Sequence, residues 1–361
     1  MANALAYGFV SLDSVLADRV SNIGERIVLD AVRESATEHT RALNSMLSTF
    51  IERTTLAKDL VQQVGGGEMQ PLDAFGNPLP IPMTAPISVG YPISGGGTAW
   101  ASNRVSRAYM TGADANKLTI EAMGRDLRTL RRKLLAAIFD NVSYNYYDEV
   151  FKLGNVAILP LANSDTQTYV RVGGGAAAVD EHYLAQAAAI ADATNPFPTI
   201  YTELAEHPGN GTEVACYVPS NLVASIEALG DFVPVRDAFI QPAMTSATLP
   251  PASQLSRILG PGDIVIGRVS KCWIVEWKAL PDSYIVAQAL AAGAVLAMRE
   301  HVPAQLQGLF IENNSPDGNI METRMIRYCG FGVMKRVAAL VMRIGDAAYA
   351  IPTGYDAPLA I

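Results

Sequence analysis

The stretch that decides the fold is residues 65–110, GGGEMQPLDAFGNPLPIPMTAPISVGYPISGGGTAWASNRVSRAYM. These 46 residues include eight glycines and six prolines, a density that excludes a long helix and disfavours a central strand. Only Glu68, Asp73, Arg104 and Arg107 are charged. The stretch is nevertheless too apolar to be a solvated linker. Its apolar side chains are Leu72, Phe75, Leu79, Ile81, Met83, Ile87, Val89, Tyr91, Ile93 and Trp100.

A connection of this length needs a surface to lie on, because unstructured loops beyond about 12–15 residues are rare in compact domains and usually functional. We therefore expect residues 65–110 to form an extended, hairpin-like loop with a turn near Phe75-Gly76-Asn77-Pro78. The surface we expect is a neighbouring copy of the same chain. The side chains predicted to make that contact are Phe75, Ile81, Ile87, Tyr91, Trp100, Arg104 and Arg107.

Length and composition leave room for a large core. The 361 residues suggest about two domains, and half of them are hydrophobic while 17% are charged. The mean hydropathy is positive, at +0.18. Apolar contacts between subunits would explain this value, and a large core is the alternative explanation.

The net charge of −8 argues against a protein that reads nucleic-acid sequence, because such proteins carry a basic patch or a basic domain. The negative charge does not exclude a shell protein that encloses nucleic acid without reading its sequence. No run of about 18 apolar residues predicts a membrane span, and no signal peptide is recognisable.

No motif in the chain predicts a catalytic, metal or cofactor site. His39, His182, His207 and His301 each follow a glutamate, but none has a partner at a metal-ligand spacing, so we interpret them as surface features. Phosphate-loop, dinucleotide and nucleophile-elbow motifs are also absent from the sequence. The three cysteines, Cys216, Cys272 and Cys329, are far apart and contain no CxxC, which favours reduced, packed thiols.

Two helical patterns flank the loop. Residues 23–64 have a helical pattern in two parts, and residues 113–144 predict a long helix with one apolar face. That face comprises Ile120, Met123, Leu127, Leu130, Leu134 and Ile138. Arg125, Arg128 and Arg132 lie on the opposite side together with Glu121. A solvated, salt-bridged face is the simplest interpretation, and contact with a neighbouring subunit or with enclosed DNA is the alternative.

The rest of the chain predicts mainly strands, with two helices, so the fold class is α+β. Strands are expected at residues 151–161, 214–218, 263–269, 271–277, 283–288, 294–299, 319–328 and 333–344. Helices are expected at residues 176–193 and 221–229, and residues 230–262 are expected to be irregular. The last two strands would be joined at residues 329–332.

The order of these elements resembles the major capsid protein of tailed bacteriophages, the Hong Kong 97 shell fold. KLLAAIFDN at residues 133–141 is similar to the family's helix end before a strand. GRVSKCWIVEWKALP at 267–281 and YIVA at 284–287 are similar to its strand, proline turn and strand. METRMIR at 321–327, GFGV at 330–333 and residues 337–344 are similar to its charged strand returning into a buried one.

This resemblance, which covers roughly residues 23–355, implies a domain organisation. It makes residues 1–64 an N-terminal arm and helix and residues 65–110 the extended loop. Residues 111–170 and 290–361 form a peripheral domain with the spine helix, and residues 171–289 an axial domain.

The resemblance also implies a function. The chain would form hexamers and pentamers of an icosahedral shell that encloses double-stranded DNA in a virion assembled in the host cytoplasm. A portal and a scaffolding protein would be partners, and a decoration protein is left open. No enzymatic activity, cofactor or membrane is expected.

This chain differs from the family in two ways, and each difference leads to an expectation. Some members cross-link their subunits covalently through a lysine in the extended loop. This chain has no lysine between Lys58 and Lys117, so we expect a non-covalent shell. Other members remove an N-terminal scaffold by proteolysis, and with only about 64 residues before the loop we expect no cleavage here.

Three alternatives remain open from the sequence. In the same fold, the chain could be the shell protein of an encapsulin-type bacterial nanocompartment. From another class, it could be a soluble α+β enzyme with residues 65–110 as a lid. A tail protein or another structural protein of a virion is the third alternative.

Overall fold

The computed structural model describes residues 17–61, 72, 74–77, 86–103, 108–173, 178–235, 264–314 and 320–359. Within these ranges helices and strands are mixed along the chain, which confirms the predicted α+β class. The helices are α1 (Val20–Ile23), α2 (Glu25–Leu47), α3 (Gly112–Phe139), α4 (Phe197–Ala205) and α5 (Ser220–Glu227), and short 3-10 turns lie at Asp192–Thr194, Leu290–Ala292 and Ala304–Leu306.

The described strands form five sheets. The strands are β1 (Ile51–Thr54), β2 (Lys58–Val61), β3 (Ile87–Gly90), β4 (Ser94–Asn103), β5 (Tyr144–Asp148), β6 (Gly154–Ile158), β7 (Asn163–Tyr169), β8 (Ala178–Glu181), β9 (Tyr183–Gln186), β10 (Val214–Val218), β11 (Phe232–Pro234), β12 (Ile264–Val269), β13 (Cys272–Glu276), β14 (Tyr284–Ala289), β15 (Leu296–Arg299), β16 (Phe310–Asn314), β17 (Ile320–Val333) and β18 (Ala339–Ile344).

A seven-stranded sheet, in the order β11-β12-β13-β10-β14-β18-β9, carries the main core. Its central strands are buried on both faces, as the continuous apolar run of β10 predicts. One face packs on α4 and α5 through side chains such as Phe197 and Ile226. The other face packs against the C-terminal half of α3 through Leu134 and Ile138. The sheet therefore lies between helices on both faces.

A second sheet is built around the long strand β17. Its strand order is β1-β15-β17-β16, and β4 pairs antiparallel with β17 over ten residue pairs from Ile320↔Asn103 to Cys329↔Ser94. Among the described strands β4 pairs only with β17, so the glycine-rich segment forms an outer strand, where the missing side chains are tolerated.

The base of the predicted loop is a hairpin stem. β2 and β3 pair antiparallel, from Lys58↔Gly90 to Val61↔Ile87, and the described residues 74–77 between them include a turn with Gly76 at φ +81°. The described residues therefore contain the stem of the predicted hairpin and a turn at Phe75-Gly76-Asn77, whereas Pro78 lies outside them. The stem begins before residue 65, because residues 58–61 are a strand.

The first predicted helix is too long at its C-terminal end. Helix α2 ends at Leu47, and the following residues form β1 and β2, whereas we had expected helix to residue 64. β1 pairs in parallel with β15, from Ile51↔Leu296 to Thr54↔Arg299. Leu43, Phe50 and Ile51 have the spacing of one helical face, which favours a helix locally. Pairing with a strand 245 residues away in the sequence outweighs this local preference.

The long helix α3 begins as expected and ends early. Thr111 and Asp114 form a reciprocal capping box at its N-terminus. At the other end Asp140 accepts a hydrogen bond from the backbone N–H of Val142 at 2.9 Å, which turns the chain out of the helix. Tyr144, the last residue of the predicted helix, lies in β5, so that part of the prediction is wrong.

Two other predicted elements are wrong. Residues 176–193 were expected to be an alanine-rich helix, but β8 and β9 occupy the described part, and β9 pairs in parallel with β18. Residues 329–332 were expected to join two strands, but β17 runs unbroken through them. A Cβ on Gly330 would lie 2.1 Å from the Pro92 carbonyl oxygen, so glycine serves close approach rather than a turn.

The remaining predicted strands and the helix at residues 221–229 match β6, β10, β12, β13, β14, β15 and α5 within a few residues. Residues 236–263 lie outside the described part of the chain. The division into peripheral and axial domains stays a prediction. β18 from the closing segment lies inside the seven-stranded sheet, next to β14. No helix in the described residues is both long and apolar enough to span a membrane.

Candidate functional site

A groove between helix α3 and strand β4 gathers the arginines that the sequence singled out. The cavity measures about 400 Å³, and Arg125, Arg128 and Arg132 line it from the helix. Gly96 and Gly97 line it from the strand. The sequence therefore predicted the helical wall of this groove, but not the strand that faces it.

Small residues and one lysine hold the strand close to the helix. Lys133 Nζ donates to the carbonyl oxygens of Ser94 at 3.0 Å and Cys329 at 3.1 Å, which ties α3 to both β4 and β17. A Cβ on Gly95 would lie 2.6 Å from Cε1 of Tyr328. The run of glycines in β4 thus allows a tyrosine ring to pack where a side chain would collide with it.

The groove is positively charged although the chain is acidic. Five cationic side chains line it, with Asp126 as the one carboxylate among the described lining residues: Arg125, Arg128, Arg132, Lys133 and Arg327. Arg125 pairs with Glu121 at 2.6 Å, and Arg327 pairs with Asp126. The other three cations, Arg128, Arg132 and Lys133, have no carboxylate partner among the described residues. The groove is therefore suited to binding an anionic group.

Asp126 is the fixed anion at the groove's inner wall. Arg327 donates to its two oxygens at 2.8 and 2.9 Å, and His39 Nε2 lies 3.1 Å away. Burial by itself would raise the pKa of Asp126, but the hydrogen bonds from His39 and Arg327 outweigh it and lower the pKa below its ordinary value. The carboxylate is therefore ionised and neutralises Arg327 rather than its neighbours on the helix.

The predicted contact residues of the loop fall into distinct environments. Phe75 at the turn is 89% exposed. Tyr91 is 1% exposed and packs with Val89 and Ala297 of its own chain, so its side chain is not available to a neighbour, and we no longer assign it an inter-subunit role. Ile87 is half-buried against the same cluster. Ile81, Arg104 and Arg107 lie outside the described residues.

Trp100 occupies a position between these extremes. It lies in β4 opposite Thr323 and is partly buried, and its indole N–H has no hydrogen-bond partner among the described residues. A buried donor of this kind costs free energy unless another group or a water satisfies it. On α3, Ile120 is 61% exposed, so the N-terminal end of the predicted apolar face is not covered by the described part of the chain.

Comparisons with known proteins bear on the fold. No protein-family model matches the chain, and no curated protein matches it. A solved structure from Mycobacterium phage Patience matches 100% of this chain and 99% of its own, with a TM-score of 0.69 and 19% identity. The chain therefore shares the fold of this phage protein.

Two further solved structures are less similar to the chain. The capsid of the cyanophage P-SCSP1u has a TM-score of 0.48 and 11% identity, over 82% of this chain and 86% of that one. An encapsulin complex from Synechococcus elongatus has a TM-score of 0.40 and 11% identity, over 82% and 84%. Neither similarity is high enough to show whether the chain is a phage protein or the shell protein of a bacterial compartment.

The fold also brings together residues that are far apart in the sequence. His182 and His207, interpreted as surface features, are 0% and 2% exposed, and their Nε2 atoms lie 3.3 Å apart. Burial lowers the pKa of His182 to about 4 and also lowers that of His207. The expectation of a surface role is wrong for these two. The only signal in the sequence was a polar Asp-x-His at residues 180–182 and a Glu-His at 206–207.

The three cysteines are free and buried, as expected. Burial raises the pKa of Cys329 to about 11 and raises that of Cys216 well above its ordinary value, so neither thiol is activated as a nucleophile.

Proposed function

We propose that the chain is the major capsid protein of a tailed bacteriophage. In this proposal it assembles in the host cytoplasm into hexamers and pentamers of an icosahedral shell, which encloses double-stranded DNA in the virion. The observation that carries the proposal is the likeness in fold, over the full length of both chains, to a structure from a phage. The order of elements and the three stretches quoted from the sequence supply the capsid interpretation.

The extended loop supports assembly with copies of the same chain. Phe75 at its turn is 89% exposed and Leu72 is 62% exposed. Apolar side chains at a projecting loop gain about 25 cal/mol for each Å² buried, so the loop is stabilised when it lies on a second surface. We assign that surface to the adjacent subunit, with Phe75 and the exposed part of the half-buried Trp100 ring among the contacts.

The basic groove supports the same conclusion. The chain carries a net charge of −8, and the groove between α3 and β4 has three cations beyond its own carboxylate pairs. A second copy of an acidic chain can supply the complementary carboxylate, and such complementarity fixes the register between subunits. We therefore assign Arg128 and Arg132 to contact with a neighbouring subunit rather than with the genome, which the shell encloses without reading its sequence.

The shell is expected to be non-covalent. No lysine lies between Lys58 and Lys117, so the loop cannot form the isopeptide bond that some capsids use. The assembled particles should dissociate completely to a single band in reducing SDS gels after boiling. A ladder of bands would contradict this expectation.

Electron microscopy and sizing of the purified full-length chain, alone and co-expressed with its scaffolding and portal partners, test the proposal. Icosahedral particles that contain DNA and one portal vertex would support a virion. Particles that contain an enzyme and no DNA would instead favour a bacterial nanocompartment. A monomer or dimer that stays unassembled at high concentration with those partners would overturn the proposal, because the loop would then have no neighbour to lie on.

A further inference from the structure

A buried cluster of two histidines and two carboxylates lies between the seven-stranded sheet and the end of α4. Asp180 lies near the end of β8, and His182 directly follows that strand. Glu206 and His207 directly follow α4. The side chains of Asp180 and His207 are each 1% exposed. Asp180, Glu206 and His207 bring one ligand-type atom each within 4.8 Å of one another.

Hydrogen bonds fix which nitrogen of each histidine faces the cluster. His182 Nδ1 lies 2.6 Å from the carbonyl oxygen of Ala339, and His207 Nδ1 lies 3.2 Å from that of Val170. A carbonyl oxygen can only accept, so both Nδ1 atoms carry the proton. In the neutral rings both Nε2 atoms therefore present a lone pair, and these face each other at 3.3 Å.

Two lone pairs at this distance repel each other unless a cation lies beside them. Two carboxylate oxygens approach the same point: Asp180 Oδ2 and Glu206 Oε1 are each 3.9 Å from His207 Nε2. Both oxygens are buried and have no hydrogen-bond partner among the described residues, but Glu206 Oε1 lies 3.1 Å from Arg171 Nη2, so Asp180 Oδ2 is the oxygen that lacks an arginine nearby. An unpartnered oxygen of a carboxylate whose side chain is 99% buried points to a missing cation.

The spacing of the two nitrogens fits one ion closely. Zinc binds imidazole nitrogen at about 2.0–2.1 Å with tetrahedral angles, which places two such nitrogens about 3.3 Å apart. The observed separation is 3.3 Å. Asp180 Oδ2 and Glu206 Oε1 each lie 3.9 Å from His207 Nε2, so they would need to move about half an ångström closer to that nitrogen to reach tetrahedral spacing.

The groups behind the ligands are also those of a metal site. Ligating histidines usually donate their other N–H to a carbonyl or carboxylate, and both histidines here donate to backbone carbonyls. Arg171 Nη2 donates to Asp180 Oδ1 at 2.8 Å, which leaves Oδ2 for the ion. Arg171 also lies 3.1 Å from Glu206 Oε1, so one guanidinium holds both carboxylates beside the cluster.

We propose that Asp180, Glu206 and His207 bind a structural Zn²⁺ ion, with His182 as the fourth ligand. The ion reaches the cluster from a cavity of about 370 Å³ that His207 and Val170 line. It links β8 and β9 to the end of α4, and no catalytic role is assigned to it. The proposal is independent of whether the chain forms a virion or a compartment.

The first test measures metal content. The purified full-length chain is stripped with EDTA, incubated with excess ZnCl₂, desalted and analysed by inductively coupled plasma mass spectrometry. The wild type should retain about one Zn²⁺ per chain and unfold at a higher temperature than the stripped protein. His207→Gln should lose the ion, while His301→Gln, at a histidine outside the cluster, should keep it. Absence of stoichiometric zinc in the wild type, or its retention in a folded His207→Gln, would overturn the proposal.

A second test needs no substitution and so does not depend on the variant folding. X-ray absorption at the zinc edge of the loaded wild type should show only nitrogen and oxygen ligands at about 2.0–2.2 Å. Sulfur at about 2.3 Å would place the ion at a cysteine and contradict the assignment. If the histidines share a proton instead of an ion, the wild type will bind no zinc in either test.

Discussion

Arg299 and Asp148 form an ion pair in the interior, with Nη2 2.9 Å from Oδ1 and at most 1% of either side chain exposed. The same guanidinium donates from Nη1 to the carbonyl oxygen of Tyr91 at 2.9 Å. Arg299 therefore joins β15 to β5 and to the chain that leaves the loop stem. Asp148 Oδ2 has no partner among the described residues, so the pair is not fully satisfied. Breaking such a pair leaves a buried charge without compensation.

We expect Arg299→Met to lower the free energy of unfolding of the unassembled chain by about 3–5 kcal/mol, because Asp148 would remain buried and unpaired. Urea denaturation followed by circular dichroism measures this. The double variant Arg299→Met with Asp148→Leu should lose less than the single variant, since it removes both charges. Arg33→Met, at a pair with Asp30 that is more than half exposed, should cost at most about 1 kcal/mol. Equal losses at the two arginines would contradict the argument.

Glycine 330 lies where two stretches of backbone touch. A Cβ there would be 2.1 Å from the carbonyl oxygen of Pro92. Gly330→Ala should therefore push the chain around Pro92 away from β17 and destabilise the unassembled chain by about 1–3 kcal/mol or more. Gly173→Ala is the matched control, because no atom of the described residues lies within 4 Å of the Cβ it would add. Thermal unfolding of the two variants compares them, and similar melting temperatures would refute the close approach.

Much of the fold could be predicted because its signals are local. β10 at Val214–Val218 is a short apolar run bounded by Pro219, and α3 begins at a capping box and keeps one apolar face for most of its length. The failures occur where distant parts of the chain decide the structure. β1 is a strand because it pairs with β15, and a local periodicity cannot reveal that partner.

The candidate sites show the same division. The arginines of α3 could be found from helical spacing, whereas the opposing wall is a glycine-rich strand that composition alone disfavours. His182 and His207 are 25 residues apart, on a strand end and a helix end, and only the fold brings their Nε2 atoms together. Tyr91 looked like a contact residue because the whole loop is apolar, but the loop's C-terminal stem is part of its own subunit's core.

Acid should weaken the link between α3 and β17 through Asp126. The pKa of Asp126 is lower in the folded chain than its ordinary value of 3.8, despite the opposing effect of burial, because His39 and Arg327 hydrogen-bond the carboxylate. A lowered pKa means that the stabilisation is complete above the unfolded pKa and is lost as the pH falls through the folded one. Free energies of unfolding of the wild type and Asp126→Asn should differ most above the ordinary pKa of 3.8 and converge as the pH falls through the lowered pKa of the folded chain. A difference that stays constant across this range would exclude the ionised carboxylate as its cause.

The basic groove should matter for assembly more than for folding. Arg128 is exposed and lines the groove, where we assign it to a carboxylate of the neighbouring subunit. Arg128→Glu would replace attraction by repulsion there, and like charges brought together at an interface can cost several kcal/mol per contact. Because a shell repeats each contact many times, even a modest loss should abolish particles in sizing chromatography while the melting temperature of the unassembled chain changes little.

Lys117→Glu is the matched control, since it makes the same change of charge at an exposed position of α3 outside the groove. Raising the ionic strength should weaken assembly of the wild type if the contact is exposed to solvent. Particles that form equally well from Arg128→Glu would show that the groove does not receive a neighbour, and DNA-filled wild-type particles alongside empty Arg128→Glu particles would assign the arginine to the genome instead.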